Sequence, residues 1–282
     1  MSRIQELRDS VRERTAAVDE EYREALAAEE RATRERHGLG TRVSHWLLVG
    51  LFFALLATGV LMWQGWYGPL ATDVYGGYYP AFGVHMWAGI LVLAVGFVLF
   101  PFYHVVVDGH DPTPTAADVR DTATIVAAFV GLRSYVAGYH RARRAWDAED
   151  GEWVAYHPAQ KLFWWTQLAL FALLAFTGFA MYDRMAADPP AWVGWLGAPA
   201  AWLAPETQLQ VHVFLALALT GAVLLHVYFA VLPGNWDVLG SMVTGDVDAY
   251  VVRGDDDSTE EAGDADAGDA APAAADGGGG GD

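Results

Sequence analysis

The 282 residues contain no cysteine. That absence excludes disulfides, iron–sulfur clusters held by this chain, thiolate zinc sites and c-type haem attachment. Phosphate-cradling glycine-rich loops and nucleophile elbows do not stand out either, so redox chemistry would rest on histidine-held cofactors or bound organic carriers. Clustered positive charge is scarce and the formal net charge is −18, which argues against nucleic acid as a partner. An apolar N-terminal stretch with a cleavage site is missing, so no removable signal peptide is expected and the first apolar block would act as an uncleaved membrane signal.

What the chain has instead is apolar sequence concentrated into blocks. Hydrophobic residues make up 54% of the composition, and four runs each reach the roughly twenty residues that a membrane-spanning helix needs. They cover about Arg42 to Trp63, Phe82 to Val107, Leu162 to Tyr182 and Leu209 to Leu232. The expected fold is an all-α membrane protein, a four-transmembrane-helix bundle spanning 41–248. A shorter apolar run, Ala123 to Leu132 between Arg120 and Arg133, reads as an interfacial or packed cytoplasmic helix. Thr115 and Asp118 form a capping box for its start, and Pro112 and Pro114 separate it from the second span.

Arginine and lysine near the span ends set the orientation. Arg34, Arg36 and Arg42 precede the first span, and Arg120, Arg133, Arg141, Arg143, Arg144 and Lys161 lie between the second and third, whereas the other two connections hold only Arg184. The positive-inside rule then makes both termini and the loop 108–161 cytoplasmic in a multi-pass protein of the cell membrane. Residues 1–40 carry dense charge of both signs with Ile4, Leu7, Val11, Val18 and Tyr22 at helical spacing, which predicts a cytoplasmic N-terminal helix. From Asp246 to Asp282 there are twelve acidic residues against Arg253 alone. This composition predicts a disordered acidic tail, placed at 249–282.

Ionisable side chains are costly in a bilayer, so histidines inside the spans stand out. His212 and His226 are fourteen residues apart on one helix, which places them within about 40° of the same face and about 21 Å apart along the axis. In the same topology His45 lies near the inner face and His85 near the outer face. The depths therefore pair His85 with His212 and His45 with His226, as two bis-histidine b haems stacked across the membrane would require. His104 is the competitor at the inner face, but nineteen residues from His85 turn an α-helix by about 100°. A structural hydrogen bond or a propionate contact suits it better. His37, His110 and His140 fall in charged cytoplasmic segments and are expected to have no cofactor role. The third span lacks histidine and would pack as a wall. Gly59, Gly89, Gly178 and Gly221 permit close helix approach or a flat macrocycle against the backbone, the former being the commoner use.

Four motifs in topological order carry a family resemblance: RVSHW at Arg42 to Trp46, VHMWAG at Val84 to Gly89, PAQK at Pro158 to Lys161, and the H-x13-H span followed by VYFAV. Over roughly Thr41 to Asp248 the chain resembles the gamma, cytochrome b subunit of membrane-bound formate dehydrogenases. The resemblance implies a di-haem protein whose iron ligands are His45, His85, His212 and His226. It further implies electrons received from an iron–sulfur subunit of a molybdopterin enzyme on the outer side, and reduction of a menaquinone-like quinone near the inner haem. The quinone site would fall at AYHPAQK, with His157 and Gln160 as its residues, although the family typically has Asn where this chain has His157. The same features fit the cytochrome b subunits of hydrogenases, of thiosulfate or polysulfide reductases and of other molybdopterin enzymes. They also fit a stand-alone quinone-reactive cytochrome b, and a haem-free membrane anchor is the remaining alternative.

Overall fold

A computed structural model describes residues 30–64, 77–129, 144–154 and 156–252. Four helices long and apolar enough to cross a membrane dominate it, at Leu39–Trp63, Tyr78–Val107, Pro158–Met185 and Pro205–Ala230. In chain order the elements are β1 (Arg31–Glu35), α1 (Leu39–Gln64), α2 (Tyr78–Ala94) and α3 (Ala116–Phe129). Then come β2 (Ala145–Asp147), β3 (Glu152–Trp153), α4 (Pro158–Met185) and α5 (Ala191–Gly197). The described residues end with α6 (Pro205–Ala230), α7 (Trp236–Thr244) and β4 (Asp246–Val252). The long helices α1, α4 and α6 start within a few residues of the expected positions, because a run of about twenty apolar residues can satisfy its backbone in lipid only as a helix. Proline at the first turn of α4 and of α6 fixes their starts.

The second span is not a regular α-helix. Beyond α2 it continues as π-helix at Val95–Leu99 and again at Phe102–Val107. Pro101 sits between the two wide turns; it lacks an N–H and its ring crowds the carbonyl four residues back, so the ladder re-forms with longer bonds. The 100° step used to place His104 relative to His85 therefore does not hold along this stretch.

Helices α1 and α2 pack as one hairpin and α4 with α6 as another, the hairpins meeting chiefly where α4 touches the second span. At one end of the bundle four short strands form a sheet in the order β1-β4-β2-β3. Strand β4 pairs antiparallel with β1, Arg31 opposite Tyr250 and Glu35 opposite Asp246, and parallel with β2, Ala145 opposite Tyr250. The sheet gathers the approach to span one, the loop between spans two and three, and the segment after span four onto one side. An even number of crossings requires that arrangement.

Two terminal expectations change here. Arg31–Glu35, assigned to an N-terminal helix over 1–40, is a strand, and residues 249–252, assigned to the disordered tail, lie in β4. Composition averaged the tail's acidity over residues that alternate Asp246-Val247-Asp248-Ala249, a period-two pattern that buries Val247, Ala249 and Val251. For Arg31–Glu35 the pairing with β4 overrides local preference. Residues 1–29 and 253–282, and His140, lie outside the described residues.

The capping box at α3 forms as expected: the Thr115 N–H donates to Asp118 Oδ2 at 2.7 Å and the Asp118 N–H to Thr115 Oγ1 at 3.2 Å. Asp118 also meets Lys161 Nζ at 3.6 Å, where both side chains are largely shielded. That contact and the Trp165 indole, which donates to the Pro112 carbonyl at 3.0 Å, hold α3 and the chain before it against the start of α4. Helix α3 begins at Ala116, a full two turns before the apolar run that signalled it, because the cap sets the start and not the hydrophobicity.

Candidate haem and quinone site

His85 on α2 and His212 on α6 face one another in the half of the bundle away from the sheet, with ring centroids 6.4 Å apart. Two imidazoles on opposite sides of one iron, with Fe–N bonds of about 2 Å and about 1 Å from each nitrogen to its ring centre, would stand about 6 Å apart. The observed separation fits that donor pair. Each ring is held by a threonine from a neighbouring helix: Thr58 Oγ1 is 2.9 Å from His85 Nδ1, and Thr177 Oγ1 is 2.8 Å from His212 Nδ1. Both hydroxyls already donate along their own helices, Thr58 to the Ala54 carbonyl and Thr177 to the Leu173 carbonyl. The threonine oxygens therefore accept from Nδ1–H. That fixes the tautomer in which Nε2 keeps its lone pair, the form that ligates a metal.

The residue after each threonine is glycine, and the reason is local space. A Cβ on Gly59 would lie 3.3 Å from His85 Cε1, and one on Gly178 would lie 3.4 Å from His212 Cε1. Spans one and three thus each offer a Thr-Gly step that orients one imidazole. Sequence reasoning noted the glycines as packing positions and missed the threonines. The repeated dipeptide at matching depth, in LATGV and in AFTGF, was the available signal.

Towards the sheet lie His45 on α1 and His226 on α6. His45 Nδ1 is buried without a hydrogen-bond partner among the described residues, a lone pair or proton left for a group beyond the protein's own side chains. Phe163 lies parallel to the His226 ring at 4.8 Å, and Phe100 is 6.5 Å from His45. The flanks of His45 explain the Arg-x-x-His-Trp motif. Arg42 Nη1 donates to the Val243 carbonyl at 2.7 Å, and the Trp46 indole donates to the Met242 carbonyl at 2.9 Å. Both bonds take carbonyls from the last turn of α7, where helical partners are lacking, and the arginine also meets the negative end of that helix. The motif therefore clamps α7 beside His45.

His157 and Gln160 stand together at the start of α4. His157 is the N-cap residue, and its carbonyl accepts the Gln160 N–H at 2.9 Å and the Lys161 N–H at 3.2 Å. Gln160 is half-buried. One turn further, Trp164 and Trp165 open an apolar groove of about 480 Å³ whose other walls are Leu168, Ala169 and Ala172 of α4 and Phe97 and Pro101 of the second span.

His104 is the second histidine of the second span. It is 2% exposed, stacks on Phe100 at 5.1 Å, and its Nε2 is 3.0 Å from the Tyr156 hydroxyl. A structural hydrogen bond was the expectation for it, and one is present. His37 and His110, for which no cofactor role was expected, are 6% and 4% exposed and lie against it. Burial, with the nearby Arg36 guanidinium and the neighbouring imidazoles, holds His37 well below the usual histidine range; burial and Arg36 lower His110 to about 4. Burial likewise pushes the Tyr156 hydroxyl up to about 12. All three groups are neutral at physiological pH. No sequence signal joins His37 to residues 104–110, since only the fold brings them together.

No curated protein matches the chain significantly. The sequence profile described as prokaryotic cytochrome b561 matches residues 36–245, which is most of the chain and takes in all four spans and strands β2 and β3. The match gives the histidine-bearing bundle its role, electron transfer in a membrane by a b-type, haem-binding cytochrome. By that match the chain belongs to the prokaryotic cytochrome b561 family.

Proposed function

We propose that this chain is the membrane cytochrome b subunit of a respiratory oxidoreductase complex. In this reading it holds two b haems, accepts electrons from an iron–sulfur subunit of a formate dehydrogenase-like molybdopterin enzyme, and delivers them to a quinone near the cytoplasmic face. His85 and His212 would ligate one iron, and His45 and His226 the other; haem b supplies reversible one-electron transfer when bound. The observation that carries the reading is the facing pair His85 and His212, each ring oriented by a threonine so that Nε2 is the free ligand.

The sheet-bearing end contains Arg34, Arg36, Arg42, Arg120, Arg144 and Lys161, and the positive-inside rule makes it cytoplasmic. His157 and Gln160 are at that end. Gln160 would hydrogen-bond a quinone carbonyl, His157 would pass protons from the aqueous side, and the groove beside Trp164 and Trp165 would take the isoprenoid tail. Proton uptake on one face, with donor oxidation on the other, separates charge across the membrane.

The test is haem stoichiometry by pyridine haemochrome, with quinone reductase activity measured on the same samples. Wild type is expected to carry two b haems, H212A and H226A one each, and Gln160→Leu two with impaired quinone turnover. Full haem content in both histidine variants would refute the ligand assignment. Loss of haem in Q160L would refute its quinone role. The family match also favours a second reading, a stand-alone quinone-reactive cytochrome, and the absence of any co-purifying iron–sulfur subunit from native membranes would select it.

A further inference from the structure

Beneath span one, on the sheet side of His45, three histidines from separate parts of the chain converge. His37 lies between β1 and α1, His104 in the second π-helical turn, and His110 just past the end of that helix. Ring centroids are 4.6 Å apart for His104 and His110, 5.4 Å for His37 and His110, and 5.9 Å for His37 and His104. Asp108 completes the group, and one ligand atom from each of the four residues lies within 4.8 Å of the others. We propose that His37, His104, His110 and Asp108 form a binding site for a divalent first-row transition metal, Zn2+ foremost, that ties the approach to span one to the end of span two.

The hydrogen bonds around the cluster fix one lone pair, on His110, and leave two further ring nitrogens without a hydrogen-bond partner. His110 Nε2 is 2.8 Å from the Arg36 carbonyl, which only accepts, so Nε2 carries the proton and Nδ1 the lone pair. His104 Nε2 has the Tyr156 hydroxyl at 3.0 Å, and its Nδ1 is buried without a hydrogen-bond partner. His37 Nδ1 is buried without one as well. A buried polar atom left unsatisfied costs about 1–3 kcal/mol, so the two Nδ1 atoms call for an occupant, and in the tautomer that leaves both with lone pairs a metal ion satisfies them together. Metal-bound histidines almost always place their second nitrogen on a carbonyl or other outer partner, the pattern seen for His110 and His104. Asp108 is fixed in turn, with the Gly38 N–H donating to Oδ2 at 3.1 Å.

Three imidazoles and one carboxylate are a donor set for tetrahedral zinc, and the lack of thiolate disfavours copper(I). A tetrahedral site with bonds of about 2.0–2.1 Å needs donors about 3.3 Å apart, so binding would draw the rings inwards by about an ångström. Arg36 contributes a positive charge nearby, with its guanidinium 4.6 Å over the Trp153 ring. The Asp108 carboxylate offsets it within the cluster. A competing occupant with the same reach is a haem propionate, which would accept protons from these nitrogens, and the experiment separates the two.

The full chain is purified with its haem and without a polyhistidine tag, dialysed against a chelator, then equilibrated with micromolar ZnCl2. Zinc is measured by mass spectrometry and haem by pyridine haemochrome. Wild type is expected to hold one zinc per chain, with a nitrogen- and oxygen-only shell at about 2.0–2.1 Å in zinc-edge X-ray absorption. His37→Gln and His110→Gln, both outside the spans, are expected to bind zinc at least tenfold more weakly with haem content unchanged. Wild type without stoichiometric zinc would overturn the proposal, as would variants that bind it like wild type. Loss of haem from the variants of a zinc-free wild type would assign the cluster to the propionates. Should the variants fail to fold, the absorption spectrum of wild type decides alone.

Discussion

Removing the hydroxyl of Thr58 while keeping its β-branched shape, as Thr58→Val does, isolates one interaction. Thr58 is fully buried and Thr177 nearly so, so no water replaces the lost acceptor. The His85 Nδ1–H, which has Thr58 Oγ1 at 2.9 Å, would lose that acceptor and be left with the Leu55 carbonyl alone. The net loss of one hydrogen bond costs about 0.5–1.5 kcal/mol, or about 2- to 13-fold in affinity for a group that depends on the ring's orientation. The Ala54 carbonyl, to which the hydroxyl donates, keeps its helical N–H and loses little. In the proposed ligand scheme, T58V should therefore release the haem held by His85 faster to an excess of a haem-scavenging protein, and Thr177→Val should release the same haem through His212. A second consequence is electronic. An imidazole whose Nδ1–H is hydrogen-bonded is a stronger donor to a metal, so losing the bond weakens stabilisation of the ferric state and raises the reduction potential of that haem alone. Thr58→Ser keeps the acceptor and should behave as wild type in both assays. If T58V and T177V retain haem at the wild-type rate, with neither potential shifted, the hydroxyls do not hold these rings and the tautomer argument falls.

Two further substitutions probe the scaffold. In Gly197→Ala the new Cβ would stand 2.6 Å from Ala180 N and 2.8 Å from its Cα, backbone atoms that cannot rotate away, so α5 must lift off α4 at a cost of about 1–3 kcal/mol. A lower Tm in detergent and faster amide exchange across Ala191–Gly197 should follow, whereas Gly50→Ala, which meets nothing within 4 Å, should leave both unchanged. Asp118→Ala removes the carboxylate that accepts from the Thr115 N–H and hydroxyl and meets Lys161, while the backbone N–H of residue 118 still donates to Thr115 Oγ1; the lost half of the cap is worth about 0.5–2 kcal/mol. Amide exchange in Ala116–Phe129 should quicken, and unaltered exchange there would count against the cap as the anchor of α3.

The long helices were legible because their signal is local. Length and apolar content decide a membrane span within a single contiguous run, and Thr115 with Asp118 marks a helix start within four residues. The fourteen-residue spacing of His212 and His226 needed only the geometry of one helix, which α6 supplies without interruption. The span with Pro101 shows where such counting stops, because two π-helical stretches change the angular step that an α-helix would impose. Everything that the tertiary structure decided joins residues far apart in the chain. Glu35 meets Asp246 in the sheet, Arg42 reaches Val243, Thr58 orients His85, and His37 comes to lie against His104 and His110. Hydropathy and spacing are properties of neighbours along a sequence. The partner of a hydrogen bond or of an imidazole is chosen by how the helices pack.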